Sequence, residues 1–282
     1  NPKLSGAVSA PHARDEGASS DEVGDTRFTV VNKIQHGPLP GLRSFGLARI
    51  ETTLELSEET RAGIAEMIGD KEPLLVTTVL GITGAGTSRV TSPAFEADLD
   101  GAKVSWQGIE GKLAYDRDFD RLDCNVVAPG MEVAGGPAMQ MQMRELSFDC
   151  DLERAFGNLY IGTAGLKVAS VSQTGPDPAT SMAFENLAYA ADIRRDGDYM
   201  DVGANFGVGR FALGELTMTD LRYELSFNHV HGPTYSVMQR KLEEASATLA
   251  AQDQGPPRAF VAVLGEFLPQ LLEHSPQLVI NR

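Results

Sequence analysis

The chain has 282 residues, enough to bury a substantial core in one large or two ordinary domains and too many for a miniprotein that depends on disulfides. Asp and Glu number 39 against 24 Lys and Arg, a net charge of −15, so the field of the whole molecule repels phosphate backbones and anionic headgroups and argues against a nucleic-acid partner. Apolar residues make up 42% of the chain, and no run approaches the roughly 18 uninterrupted apolar residues of a membrane-spanning helix. Asn1 is not followed by the basic start and apolar middle of a signal peptide, so the sequence reads as a processed chain or a fragment.

Residues 1–26 hold few large apolar side chains, too few to offset the entropy of ordering a backbone, and read as a flexible leader. A segment over 27–103 follows. Phe28 and Val30, then Leu42, Phe45, Leu47, Ile50, Leu54 and Leu56 after the turn His36-Gly37-Pro38-Leu39-Pro40-Gly41, alternate as strands do. Ser57-Glu58-Glu59 supplies an N-cap and an acidic first turn for a short helix over about 58–68, which Gly69 ends. Leu74 to Leu80 and Arg89-Val90-Thr91 flank Gly84-Ala85-Gly86 as a further hairpin.

Over 104–230 the apolar alternation persists but slips by one residue at Trp106-Gln107-Gly108-Ile109, Met143-Arg144-Glu145-Leu146, Phe184-Glu185-Asn186-Leu187 and Met218-Thr219-Asp220-Leu221. It resumes after each slip, at Leu113 and Tyr115, at Phe148 and Cys150, at Tyr189 and Ala191, and at Tyr223 and Leu225. The recurrence describes a degenerate repeat of long hairpins, with turns at Asp118-Phe119-Asp120, Gly135-Gly136-Pro137, Phe156-Gly157-Asn158, Gly175-Pro176-Asp177-Pro178, Asp196-Gly197-Asp198 and Gly214-Glu215. Seven strands of about 12 to 16 residues are expected in a meander, and each slip reads as a β-bulge that bends its strand while keeping apolar side chains on one face. Such a curled sheet either closes its own core or opens a long apolar groove.

The C-terminal segment, 231–282, changes period. Tyr235, Met238, Leu242, Ala245 and Leu249 follow Pro233, and Phe260, Val263, Leu264, Phe267, Leu268, Leu271 and Leu272 follow Pro256-Pro257, with the spacing of two amphipathic helices. The second carries Glu266 and Glu273 where a membrane-surface helix would carry Lys and Arg, so both are expected to pack on the sheet.

Chemistry-bearing motifs are weak. No nucleophile elbow, phosphate-binding loop, His-Glu-x-x-His helix or Cys-x-x-Cys pair occurs. His229-Val230-His231 offers two imidazoles without a third metal ligand and reads as a solvated strand end. Asp116, Asp118 and Asp120 lack the Gly and terminal Glu of a calcium loop and read as an acidic turn. Cys124 and Cys150 occupy the apolar phase of adjacent strands, and the midpoint of their numbers falls at the turn around Pro137. An antiparallel hairpin places them opposite each other, which favours a disulfide over two buried thiols and, with it, an oxidising compartment.

The segment from Phe28, with Ile34, His36, Gly37, Pro38 and Leu39 and then Gly46, Ala48 and Ile50, resembles the YdgA-like family of bacterial envelope proteins. The repeats, and Leu271-Leu272 with Ser275-Pro276, extend the resemblance over about 27–280. It implies a periplasmic body held at the inner membrane by an N-terminal helix that this chain lacks, similar in character to the β-groove proteins of the AsmA and TamB group. It also implies that the chain continues beyond Leu278-Val279-Ile280 into further β structure. The resemblance carries no catalytic residues.

The expected fold is mainly β: a large, curved, predominantly antiparallel sheet with bulges, one short helix early and two amphipathic helices late. The expected function is non-catalytic, with no cofactor and no metal. A lipid or other elongated apolar ligand would lie in a groove lined by Trp106, Ile109, Leu113, Tyr115, Met143, Leu146, Phe148, Phe184, Leu187, Tyr189, Met218, Leu221 and Tyr223. The alternative is a periplasmic scaffold that binds another envelope protein, its apolar face fully occupied by the two C-terminal helices.

Overall fold

The structure is a computed structural model that describes residues 5–7, 29–37, 46–55, 58–69, 71–99, 101–135, 139–250 and 256–281. Among the described residues, fifteen strands form one antiparallel sheet. In chain order these are β1 (Ser5–Ala7), β2 (Thr29–His36), β3 (Ala48–Glu55), β4 (Leu75–Leu80), β5 (Gly86–Ser92), β6 (Phe95–Leu99), β7 (Ala102–Trp106), β8 (Ile109–Tyr115), β9 (Arg121–Gly135), β10 (Met139–Phe156), β11 (Leu159–Thr174), β12 (Met182–Asp196), β13 (Tyr199–Leu213), β14 (Leu216–His231) and β15 (Gln277–Asn281). Helix α1 (Glu58–Ile68) joins β3 to β4, and α2 (Gly232–Ala250) and α3 (Pro256–Leu272) lie between β14 and β15. The sheet is open, running from β1 at one edge to β15 at the other.

The alternating apolar pattern explains the long central strands, β9 to β14, of 15 to 18 residues. Their hairpins close where the sequence permits a left-handed backbone. Leu213 pairs with Leu216 and Asp196 with Tyr199, leaving two-residue loops in which Gly214 and Gly197 take φ of 55° and 61°, angles that glycine reaches without strain. The first member of the expected meander is interrupted: β7 and β8 both pair with β9 on the same side, and Gln107 and Gly108 fall in the gap. Within the expected leader, Ser5–Ala7 pairs with β2 as a strand; the rest of the leader, Pro38 to Gly41, Ser57 and the turn at Gly136-Pro137 lie outside the described residues. The terminal strand β15, formed by Leu278-Val279-Ile280 and its neighbours, was not expected.

The four slips are not bulges with an inserted residue. Glu145, Asn186 and Asp220 adopt φ of 52°, 54° and 54°, and Gly108 one of 90°. Arg144 pairs with Gly130 and Leu146 with Ala128, so Glu145 and Pro129 are skipped together. On the other side Glu145 and Ala169 are skipped, then Ala169 with Asn186, Asn186 with Gly209 and Gly209 with Asp220. Each strand loses one residue from the ladder at the same level, so the register on either side is preserved and a seam crosses β9 to β14. A bulge needs two residues against one; here the neighbour slips equally. Register does shift at two other places, between Arg154 and Phe156 in β10 and between Met200 and Val202 in β13. At the second, Asn228 and His229 oppose Asp201 alone, and the His229 N–H donates to Asp201 Oδ1 at 2.8 Å.

The main buried cluster sits at the end of the sheet where these two shifts occur. Phe156, Leu159, Met200 and Val230 from the strand ends meet Met238 of α2 and Val263, Phe267 and Leu271 of α3. Val230 is 2% exposed. Burying each large side chain there stabilises the fold by about 1.5–3 kcal/mol, and this cluster fixes the helices against one end of the sheet. Among the ties between elements, Lys241 of α2 donates to Glu266 of α3 at 2.6 Å, and Arg154 reaches from β10 to the acidic turn, pairing with Asp120 at 3.4 Å and donating to the Asp118 carbonyl at 2.9 Å.

Cys124 and Cys150 are direct cross-strand partners and form a disulfide with Cα atoms 4.9 Å apart. Closing this loop stabilises the fold by about 3–4 kcal/mol on the chain-entropy model. Cys124→Ser with Cys150→Ser is expected to lower the melting temperature by a corresponding amount, and thiol titration of oxidised protein in denaturant to find no free thiol. The seam makes a second prediction. Left-handed backbone costs an L-residue about 1–2 kcal/mol, a cost Glu145 already bears and a β-branched side chain exceeds, so Glu145→Gly should be neutral or stabilising in chemical denaturation, whereas Glu145→Val should destabilise.

Candidate functional site

The register sorts the expected groove residues into rows running across the strands. Nearest the free ends of the long strands lies Trp106-Met131-Met143-Val171-Phe184-Phe211-Met218. On the far side of the seam comes Ala128-Leu146-Val168-Leu187-Val208-Leu221, then Val126-Phe148-Leu166-Tyr189-Phe206-Tyr223. Ten of the thirteen expected lining residues fall in these three rows. The other three, Ile109, Leu113 and Tyr115, belong to β8: Ile109 pairs with Ser92 and Leu113 with Ser88 and Cys124. Tyr115 lies over Gly86, where a Cβ would strike the phenol ring, and stacks on Phe119 at 4.7 Å. Its ring is thereby spent on packing. The Trp106 indole is held by donation to Ser92 Oγ at 3.1 Å.

Sequence reasoning missed the row that gives the face its shape. Beyond the aromatic row lies Cys124-Cys150-Ala164-Ala191-Ala204, ending at Leu225. The next row is Leu122-Leu152-Gly162-Ile193-Val202-Phe227. A line of small side chains between two lines of larger ones, the second interrupted at Gly162, is a furrow, floored by the disulfide and three alanines and running perpendicular to the strands. The signal was present as alanine at the same phase in three successive strands, but it becomes a row only once the register is known. An apolar pocket of about 160 Å³ continues from the second wall beneath α2, lined by Ile193, Val202, Phe227 and Tyr235 among others.

This face is not covered by the helices. The C-terminal helices reach the strand ends only, and Phe148, Tyr189, Phe206 and Tyr223 remain 37%, 43%, 45% and 42% exposed. The expectation that the helices occupy the whole apolar face is therefore corrected: a pair of helices packed at one end cannot span strands of this length. A concavity of about 520 Å³ lies at the seam, bordered by Leu146, Val168 and Leu187 of the second row as well as by Val127, Lys167 and Ala188. Val127, Ser147, Lys167 and Ala188 are successive cross-strand partners in the other phase.

At the helix-covered end, four rings pack together. His229 stacks on Tyr199 at 3.9 Å and His231 on His274 at 4.0 Å, with Tyr199 edge-on to both members of the second pair. His231 Nδ1 lies 2.8 Å from Thr234 Oγ1. His231, half-buried, is thus part of the joint between sheet and helices, while His229 remains exposed at the strand end, as expected from sequence. Removal from water, and secondarily the neighbouring His274, lower the pKa of His231, while Asp198 opposes the shift. Among the described residues no group of three or more His, Cys, Asp or Glu is placed to hold a metal ion, and no helix is long and apolar enough to cross a membrane.

The His231 shift has a defined sign. An unfolded His231 takes up a proton near pH 6.5, more readily than the folded one does, so the contribution of His231 is complete above that pH and is lost as pH falls below it. The melting temperature should fall between about pH 7.5 and about pH 5.5, and His231→Phe, which keeps a ring against His274, should reduce that fall. An identical pH profile in the variant would contradict the assignment.

A search of curated proteins and a search of solved structures each returned no match. A comparison with family models matched residues 8–282, nearly the whole chain, to a family described as bacterial protein of unknown function, DUF945. With its seam, its furrow and its partly covered open sheet, the chain belongs to the bacterial family DUF945.

Proposed function

We propose that the uncovered apolar face holds one elongated apolar ligand, an acyl chain of a lipid being the best fit, and that the protein acts without catalysing a reaction. The observation that carries this reading is the furrow itself: an unbroken line of small side chains beside four aromatic residues that stay more than a third exposed. Exposed apolar surface arranged contiguously costs solubility, and its persistence marks a binding surface. The aromatic row crosses six strands, about 24 Å at about 4.8 Å per strand. Half of a bilayer's hydrocarbon core is roughly 15 Å thick, so one chain fits lengthwise. A ligand there would bury its apolar surface against the furrow at about 25 cal/mol per Å².

The same reading places the protein in the bacterial periplasm, attached to the inner membrane through a segment outside this chain. Its support is the disulfide, which persists in oxidising compartments, and the resemblance of the region around Ile34 and His36 to the YdgA-like envelope proteins. No nucleic-acid partner belongs to it.

Native mass spectrometry of purified protein, followed by organic extraction, is expected to find co-purified lipid, and a fluorescent fatty acid is expected to bind. Ala204→Trp would fill the furrow floor without touching the helix-covered cluster and should weaken uptake at least about tenfold, which is about 1.4 kcal/mol. Tyr189→Asp, at an exposed position, should leave the protein folded and also lose uptake. No extracted lipid together with no fatty-acid binding would reject this reading in favour of a scaffold that binds another envelope protein.

A further inference from the structure

The second wall of the furrow is interrupted once. Gly162 stands in that row between Leu152 and Ile193, two residues along β11 from Ala164 of the floor. Its φ is 120°, and a Cβ there would collide with the Asp151 carbonyl oxygen, so the backbone admits only glycine and the gap is built by the main chain. The apolar cavity of about 160 Å³ adjoins this gap. It shares Ile193, the cross-strand partner of Gly162, with the wall, together with Val202 and Phe227. It shares Leu159, Met200 and Val230 with the buried cluster, and Tyr235 of α2 completes the lining on the helix side.

Size and chemistry select the occupant. An apolar cavity of about this size stays free of water and takes a guest of about six carbons, the size of benzene. The Tyr160 hydroxyl, on a ring that also borders the cavity, donates to the Phe119 carbonyl at 2.7 Å and is satisfied outside it. An empty void forfeits the packing contacts of its lining, and the furrow supplies what fills it, because the floor at Ala164 and the gap at Gly162 bring the end of a bound chain to the edge of the cavity. We infer that the terminal carbons of the furrow's ligand turn off the floor at Ala164, pass Gly162 and end in this cavity beneath α2, so that the site selects ligands with a slender, flexible apolar end over rigid polycyclic ones.

This rests on the reading of the furrow as a site for an apolar ligand, and the two are separated by where each part of a bound chain lies. Palmitate carrying a diazirine at its terminal carbon, photolysed on the full chain, should attach to Met200 and Tyr235, as mapped by peptide mass spectrometry. Palmitate with the diazirine at mid-chain should instead label the floor at Ala164 and Ala191. Val202→Phe fills the cavity from its wall and leaves the floor unchanged. Each buried methylene favours the cavity by about fourfold, so shutting out about two of them should cut the end-label at Met200 and Tyr235 at least about tenfold while mid-chain labelling persists. The end-label on the unsubstituted chain decides the assignment even where the variant does not fold. End-label on the aromatic row from Phe148 to Tyr223, or end-label that a folded Val202→Phe leaves in place, would overturn the inference and leave the furrow reading standing. No labelling by either probe, with no binding of a fluorescent fatty acid, would remove both.

Discussion

Cross-strand register is the constraint on which the rest of this structure depends. A strand longer than about a dozen residues in a twisted sheet must keep one phase toward its apolar side, and here the phase changes midway. Were one strand to change alone, its neighbours would lose a residue of register and every side chain beyond the slip would face the wrong way. All the strands from β9 to β14 change at one level instead, with left-handed Glu145, Asn186 and Asp220 on alternate strands and Pro129, Ala169 and Gly209 between them. The strain of three left-handed residues is offset by the continuity it preserves on both sides of the seam.

Stabilisation is unevenly distributed along the strands. At one end, eight buried apolar residues from sheet and helices form the main cluster, and the packed rings of Tyr199, His229, His231 and His274 tie strand ends to the end of α3. Midway, the Cys124–Cys150 disulfide staples the two strands that form the floor of the furrow at its β9 end. Toward the seam, the third support is the ladder itself. A single-layer sheet can tolerate this because main-chain hydrogen bonds are satisfied within the sheet, whereas its apolar side chains remain partly exposed. The half-exposed aromatic row is the consequence of placing the covering helices at one end.

The furrow and the seam offer different surfaces. The apolar face has a furrow because alanine recurs at one level in β11, β12 and β13, and larger residues recur at the levels on either side except at Gly162 of β11. The seam has a concavity bordered by residues of both phases. No polar group interrupts the first along the line from Cys124 to Ala204. The second carries Lys167, Glu145 and Asn186 in addition to its small apolar residues.

Local patterns in the sequence determined the element types: alternation made Arg121 to His231 long strands, the 3-4 spacing from Tyr235 and from Phe260 made helices, and equal distances of Cys124 and Cys150 from one turn made them partners. These are legible because periodicity and hairpin symmetry involve neighbours in the chain. Even the slips were visible as interruptions at Glu145, Asn186 and Asp220, but their nature was not, since an inserted residue and a shared kink leave the same mark in a single strand. Only tertiary structure could decide that Pro129, Ala169 and Gly209 slip too, that Ala164, Ala191 and Ala204 form one row, that Tyr115 covers Gly86, that β15 closes part of the β14 edge, and that the helices stop short of the aromatic row. Each of these depends on which residues from distant parts of the chain stand side by side, and side-chain periodicity within one element carries no information about its alignment with the next.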